Sequence, residues 1–219
     1  MFSLKLCLPT DSPCRVLCLG AHSDDIEIGC GGTILALLDR YKNVSVRWIV
    51  FGATSERAVE ANDSAHVFLS LAQERVVEVK GYRDGFFPFL GGQIKDEFEA
   101  LKPFQPDLVL THYRDDRHQD HRLISDLTWN TFRNHLILEY EIPKYDGDLG
   151  SPNVFMPLEQ SICTQKIQYI LESFKSQQAR QWFDAETFLA ILRLRGMEAN
   201  SPTRYAEAFY CRKAVLDCK

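Results

Sequence analysis

Along the first two thirds of the chain, short unbroken apolar runs alternate with longer stretches whose apolar residues recur every third or fourth position. Arg15–Ala21, Ser45–Gly52, Arg75–Gly81, Pro106–Tyr113 and Leu136–Ile142 have the length and β-branched content of buried strands. Between them, 31–41, 54–72, 93–104 and 121–134 carry the helical period. Thr54 or Ser55 can cap the second of these, and Pro103 stops the third. Strands alternating with helices imply right-handed crossovers and a mostly parallel sheet covered on both faces, a three-layer α/β fold. Past Pro143 the rhythm weakens. A loop is expected over 145–153, helices over 160–179 and 184–196, and a late edge strand within 205–215. These would form a C-terminal helical cap on a single domain spanning residues 1–219.

Composition narrows the class. At 219 residues, with 45% hydrophobic and 25% charged residues, the chain can bury a substantial core. A net charge of -5 gives no reason to expect nucleic acid or an anionic membrane as partner. Pro9, Asp11, Pro13 and Arg15 interrupt the start, which argues against a signal peptide, and no apolar stretch is long enough to span a bilayer. The seven cysteines are odd in number and contain no CxxC pair, so free buried thiols in a cytoplasmic protein are expected.

The candidate chemistry lies at two strand ends. The first strand runs into His22, Ser23, Asp24 and Asp25, and the fourth into Thr111 and His112, then Asp115, Asp116, His118, Asp120 and His121. In an open parallel sheet both loops lie along the carboxyl edge, where ligands bind. Taken singly, each is an ordinary helix cap or a solvated charged loop; together they make a site. Imidazole and carboxylate suit zinc, and three such ligands leave room for a water whose pKa the metal lowers. Of two adjacent aspartates, one can bind metal while the other handles the water's proton. The glycines in "GCGGT" do not make a GxGxxG fingerprint; they suit a backbone turn and close helix packing.

"AHSDDIEIGCGGT" with "HYRDDRHQDH" resembles the LmbE/PIG-L family of zinc-dependent N-acetyl-sugar deacetylases. "RDG" at Arg83–Gly85 and "YAEAF" at Tyr205–Phe209 extend the resemblance over most of the chain. It implies a Rossmann-like fold, one Zn2+ per chain (Fe2+ being the other candidate), and His22, Asp25 and His121 as ligands. It further implies Asp24 as general base, His118 as the group that stabilises the oxyanion or protonates the leaving amine, and Asp120 as the carboxylate orienting His118. Ser23 replaces the family's usual proline, and the extra acid in "RDDRH" leaves Asp115 and Asp116 as alternatives for one motif position. Arg57 can anchor a substrate hydroxyl or phosphate and Asp84 can hydrogen-bond sugar hydroxyls; an exposed helix arginine and a turn-forming aspartate are the alternative readings. Arg195 and Glu207 match family positions without an assigned role.

The expected activity is metal-dependent removal of acetyl from an N-acetylglucosamine-type sugar or glycoconjugate, in the cytoplasm. A phosphoesterase on the same residues would want two metals and more carboxylates. A glycan-binding module would need no base at Asp24. A dinucleotide oxidoreductase comes last, because acids interrupt its first glycine loop. The resemblance leaves the sugar acceptor open and permits homo-oligomers.

Overall fold

The structure, a computed structural model, describes residues 12–215. The five apolar runs form β1 (Cys14–Gly20), β2 (Val44–Val50), β3 (Glu74–Val79), β4 (Leu108–His112) and β5 (Leu136–Tyr140), paired in parallel. β6 (Val154–Leu158) and β7 (Tyr205–Tyr210) complete a seven-stranded sheet of order β3-β2-β1-β4-β5-β7-β6. β7 runs antiparallel to both its neighbours.

β7 is therefore an interior strand, and the edge belongs to β6, which the apolar pattern does not reveal. The run "VFMPL" contains Pro157, which argues against a central strand. On an edge, a residue without an N–H leaves no ladder bond unmade.

Helices cover both faces. α1 (Asp25–Arg40), α2 (Ser55–Phe68), α5 (Gln160–Ser173) and α6 (Ala185–Glu198) form one layer; α3 (Gly91–Leu101) and α4 (Gln119–Thr131) form the other. Successive strand residues divide between the layers, as a period of two requires. Val16, Cys18, Val46 and Trp48 pack under the first, while Leu17, Leu19 and Ile49 pack under the second with Ile94, Phe98 and Ile124. No helix among the described residues is long and apolar enough to cross a membrane.

α1 begins at Asp25 rather than Gly31, so the glycine run is not a turn but helix interior. Glycine there costs about 1 kcal/mol relative to alanine, and packing explains it. A Cβ on Gly29 would sit 2.2 Å from the Tyr140 ring, and one on Gly31 would sit 2.6 Å from that of Phe68. Glycine lets α1 lie directly on these aromatics.

Candidate metal centre

β1 and β4 are neighbours, but the chain leaves β1 for a helix on one face and β4 for a helix on the other. That divergence opens a crevice at their carboxyl ends. The β1–α1 loop brings His22, Asp24 and Asp25 to it; the end of β4 and the loop to α4 bring His112, Asp116, His118, Asp120 and His121.

Three donor atoms form a nearly regular triangle. His22 Nδ1 lies 3.2 Å from His121 Nε2 and 3.5 Å from Asp25 Oδ2, and the last two are 3.6 Å apart. Donors bound at 2.0–2.1 Å to a tetrahedral ion stand about 3.3 Å from one another. The triangle's edges match one face of such a coordination shell. Its corners are the residues the resemblance implies.

Each corner is held from behind. The His22 N–H donates to Asp25 Oδ2 at 2.6 Å, which fixes the carboxylate at the start of α1. His121 Nδ1 lies 2.9 Å from Asp116 Oδ2, which also receives Lys144 Nζ at 2.8 Å. Asp116 is buried and Asp115 is exposed, so the carboxylate behind His121 is Asp116. His22 Nε2 lies 3.3 Å from Asp120 Oδ2 and 3.1 Å from Asp84 Oδ1.

The Asp120 contact corrects an expectation. Its carboxylate meets His22, together with the backbone N–H groups of Gly85 at 2.6 Å and Phe87 at 3.1 Å, and not the His118 ring. His118 is the N-cap of α4, and its Nδ1 accepts the Asp120 backbone N–H at 3.3 Å. At the second position of α4, the Asp120 side chain projects toward β1 and the loop after β3. Sequence spacing alone could not show that direction.

Asp24 lies one residue outside the triangle, 6% exposed, with Oδ1 2.8 Å from Arg57 Nη2. The contact is an ion pair, and the buried Arg57 Nε has no hydrogen-bond partner of its own. Arg57 thus stands beside the expected base, while Asp84 stands at the exposed mouth against His22.

His112 joins the cluster without having been assigned a role. Its Nε2 is 3.2 Å from Asp25 Oδ2, its ring stacks on His121 at 4.0 Å, and Asp25, His112 and His121 could themselves surround a cation. The Ala21 N–H donates to the same Nε2 at 2.9 Å, and the buried Nδ1 has no hydrogen-bond partner. Its place as the last residue of β4 was the available signal.

Electrostatics separates the two aspartates. Burial pushes the Asp24 carboxyl above its usual pKa; Arg57 opposes that rise and Asp25 adds to it. Burial acts on Asp25 in the same sense, but His121 and His112 outweigh it and hold this carboxyl well below its usual range. Burial, then His112, lowers His121 to about 4, leaving a neutral imidazole able to ligate. Burial also works against charge on His22, yet Asp120, Asp25 and Asp84 raise its pKa well above normal.

The family profile described as PIG-L, GlcNAc-PI de-N-acetylase, matches residues 17–132, more than half of the chain and both polar loops. The chain belongs to the PIG-L family. Among solved structures, it is similar to the conserved protein TT1542 from Thermus thermophilus, with TM-score 0.75, 22% identity, and coverage of 92% of this chain and 96% of that one. It is likewise similar to N,N'-diacetylchitobiose deacetylase from Pyrococcus horikoshii, with TM-score 0.70, 22% identity, and coverage of 93% and 85%. A third neighbour is GalB, the 4-carboxy-2-hydroxymuconate hydratase from Pseudomonas putida, with TM-score 0.70, 16% identity, and coverage of 94% and 98%. At these identities the neighbours establish the fold, and the hydratase among them shows that the fold hosts more than one chemistry.

In this PIG-L chain, the residues left without roles by the sequence fasten α1 and α6 around the site. Glu207 on β7 accepts the backbone N–H groups of Gly32 and Thr33 on α1 at 2.8 and 2.6 Å. Lys166 on α5 bonds Glu207 at 2.6 Å and the Ile28 carbonyl at 2.7 Å, and both side chains are buried. Arg195 on α6 pairs bidentately with Glu141, just beyond β5, at 2.6 and 2.7 Å. These contacts join elements far apart in sequence.

Proposed function

We propose that the chain is a metal-dependent hydrolase that removes the acetyl group from an N-acetylated amino sugar, and that it works as one domain built on the single sheet. The observation that carries this reading is the donor triangle of His22, Asp25 and His121 with Asp24 and His118 beside it. These three residues would hold the metal, with zinc the best match to a two-imidazole, one-carboxylate set and Fe2+ also accepted. A divalent ion there supplies Lewis acidity to the amide carbonyl and lowers the pKa of water.

The protein's own groups move the protons. Asp24, whose raised pKa brings it nearer the range of a useful base, takes a proton from the attacking water. Water oxygen adds to the acetyl carbon. His118 Nδ1 already accepts the Asp120 N–H, so its proton sits on Nε2, where it can meet the developing oxyanion. The C–N bond then breaks as protonated Asp24 gives the water's proton to the nitrogen, and acetic acid and the free amine leave, exchanging the last proton in solution. Asp116 and Asp120 keep the ligand histidines in orientation. Arg57 and Asp84 are the proposed contacts for sugar hydroxyls, a reading supported by their positions beside Asp24 and His22 and by the exposure of Asp84. The free, buried Cys14, Cys18, Cys30 and Cys163 support a reducing, cytoplasmic setting.

The test is acetate release from a panel of N-acetylglucosamine derivatives, run with zinc-loaded, chelated and Asp24→Ala protein. Release by the zinc-loaded wild type alone is the expected result. Hydration of an unsaturated carboxylate without acetate release would move the chain to the hydratase chemistry, and phosphate release at two metals per chain would make it a phosphoesterase.

A further inference from the structure

The loop that follows β5 is fastened to the crevice by one ammonium group. Lys144 Nζ lies 2.8 Å from Asp116 Oδ2 and 2.6 Å from Asp148 Oδ2, and it also donates to the Ile142 carbonyl at 3.4 Å. None of the three charged side chains is more than 13% exposed. Asp148 comes back against Lys144 because the chain reverses at Gly147, whose φ of +62° is left-handed and suited to glycine. Each carboxylate needs the cation between them, since a buried charge left unpaired is costly.

Both carboxylates in turn grip the stretch between β4 and α4. Asp148 accepts the Arg117 N–H at 2.7 Å. Asp116 Oδ1 accepts the His118 N–H at 2.7 Å, and its Oδ2 lies 2.9 Å from His121 Nδ1. Arg122 adds bonds to the carbonyls of Asp116 and Arg117. Asp116 thus touches both the His121 ring and the backbone of His118, and Lys144 is the cation it faces.

We propose that Lys144 is a positioning residue of the metal centre, whose ammonium group holds Asp116 where it directs the His121 ring and the start of α4 together. This role rests on the proposed reading of His121 as a metal ligand and deepens it by naming what fixes the ligand's support. Without the cation, the Asp116 and Asp148 carboxylates would face each other as buried like charges, with their oxygens roughly 5 Å apart at most. Their repulsion turns Asp116 away from His121. The ring then loses its fixed direction, and its Nε2 no longer meets His22 and Asp25 at the triangle. A tie that serves only the loop has a different consequence, because it stabilises the protein without changing its affinity for metal.

The experiment measures zinc affinity by competition with a chromophoric chelator, the visible spectrum of the Co2+-loaded protein and the unfolding temperature of the metal-free protein. Acetate release at saturating zinc supplies kcat and KM. Lys144→Met should bind zinc about 10–100-fold more weakly than wild type, with an altered Co2+ spectrum and a lower kcat at a KM within about twofold. Lys144→Arg, which restores the charge, should recover most of the affinity. In an Asp116→Ala background, Lys144→Met should add less than about twofold, because the residue it acts through is gone. Unchanged zinc affinity in Lys144→Met, or a full additional loss in the Asp116→Ala background, overturns the inference. A lowered unfolding temperature with unchanged affinity and spectrum overturns it in favour of a tie that serves only the loop. Asp148→Ala, which frees Lys144 on one side, should weaken zinc binding by a smaller factor, and unchanged affinity there overturns the inference even where Lys144→Met does not fold. Zinc retained by His121→Ala removes the triangle and this role with it. Weakened zinc binding in Lys144→Met without acetate release from any sugar leaves the role standing and removes the deacetylation.

Discussion

Asp116 Oδ2 sits 2.9 Å from Nδ1 of His121, on the side of the ring opposite the nitrogen that faces His22 and Asp25. This one contact sets the tautomer of His121 and directs its Nε2 lone pair into the triangle. Burial works against charge on Asp116, but the His121 hydrogen bond prevails and keeps the carboxyl below its usual range. Asp116→Ala should weaken zinc binding by about 10–100-fold. Asp115→Ala, which removes an exposed neighbour, should change it by less than about twofold. Competition with a chromophoric chelator measures both, and equal losses would remove the special position of Asp116.

Metal holding and proton transfer should separate by mutation. Asp24→Asn should retain zinc and lose about 10²–10⁴-fold in kcat. His121→Ala should lose the metal itself. Metal analysis after dialysis, paired with acetate release, reads the two effects, and an Asp24→Asn protein that fails to retain zinc would contradict the assignment.

Removing the metal should destabilise the fold, because a ligand that binds only the native state adds stability by mass action. Thermal unfolding of wild type should rise with zinc concentration and fall on chelation. His121→Ala should show neither response. A zinc-dependent shift that survives in His121→Ala would place the metal elsewhere.

Packing predicts different effects at two helical glycines, one in α1 and one in α3. Gly29→Ala drives a methyl into the Tyr140 ring, whose hydroxyl also bonds the Leu19 carbonyl at 2.7 Å, so the ring has little room to retreat. A loss of about 1–3 kcal/mol is expected. Gly92→Ala in α3 meets nothing within 4 Å and should be neutral or stabilising by up to about 1 kcal/mol. Urea unfolding at constant m-value tests the pair.

The buried Lys166–Glu207 pair should be costly to halve. Lys166→Met leaves the Glu207 carboxylate without its cation and should cost about 3–5 kcal/mol, with Glu207→Gln costing a similar amount. The double variant should recover part of the loss, because neither partner then leaves a buried charge unpaired. Strict additivity in the double-mutant cycle would show that the two do not act as a pair.

The five parallel strands, and the edge of the sheet where the two polar loops meet, are legible in the sequence alone. Apolar strands buried on both faces are continuous hydrophobic runs, and the polar residues ending two of them need partners. It also determined the family, since both polar loops lie in the matched residues. It did not expose β6, whose proline is tolerated only because the strand lies at an edge, nor the interior place of β7, which depends on that pairing. Three further relationships were decided by tertiary structure alone: Asp116 rather than Asp115 behind His121, Asp120 serving His22 rather than His118, and Glu207 gripping the middle of α1. In each case the residue type was visible in the chain, but the partner lay on a different element. Side-chain direction at a helix start, and the approach of strands far apart in sequence, are set by packing and leave no periodic signal to read.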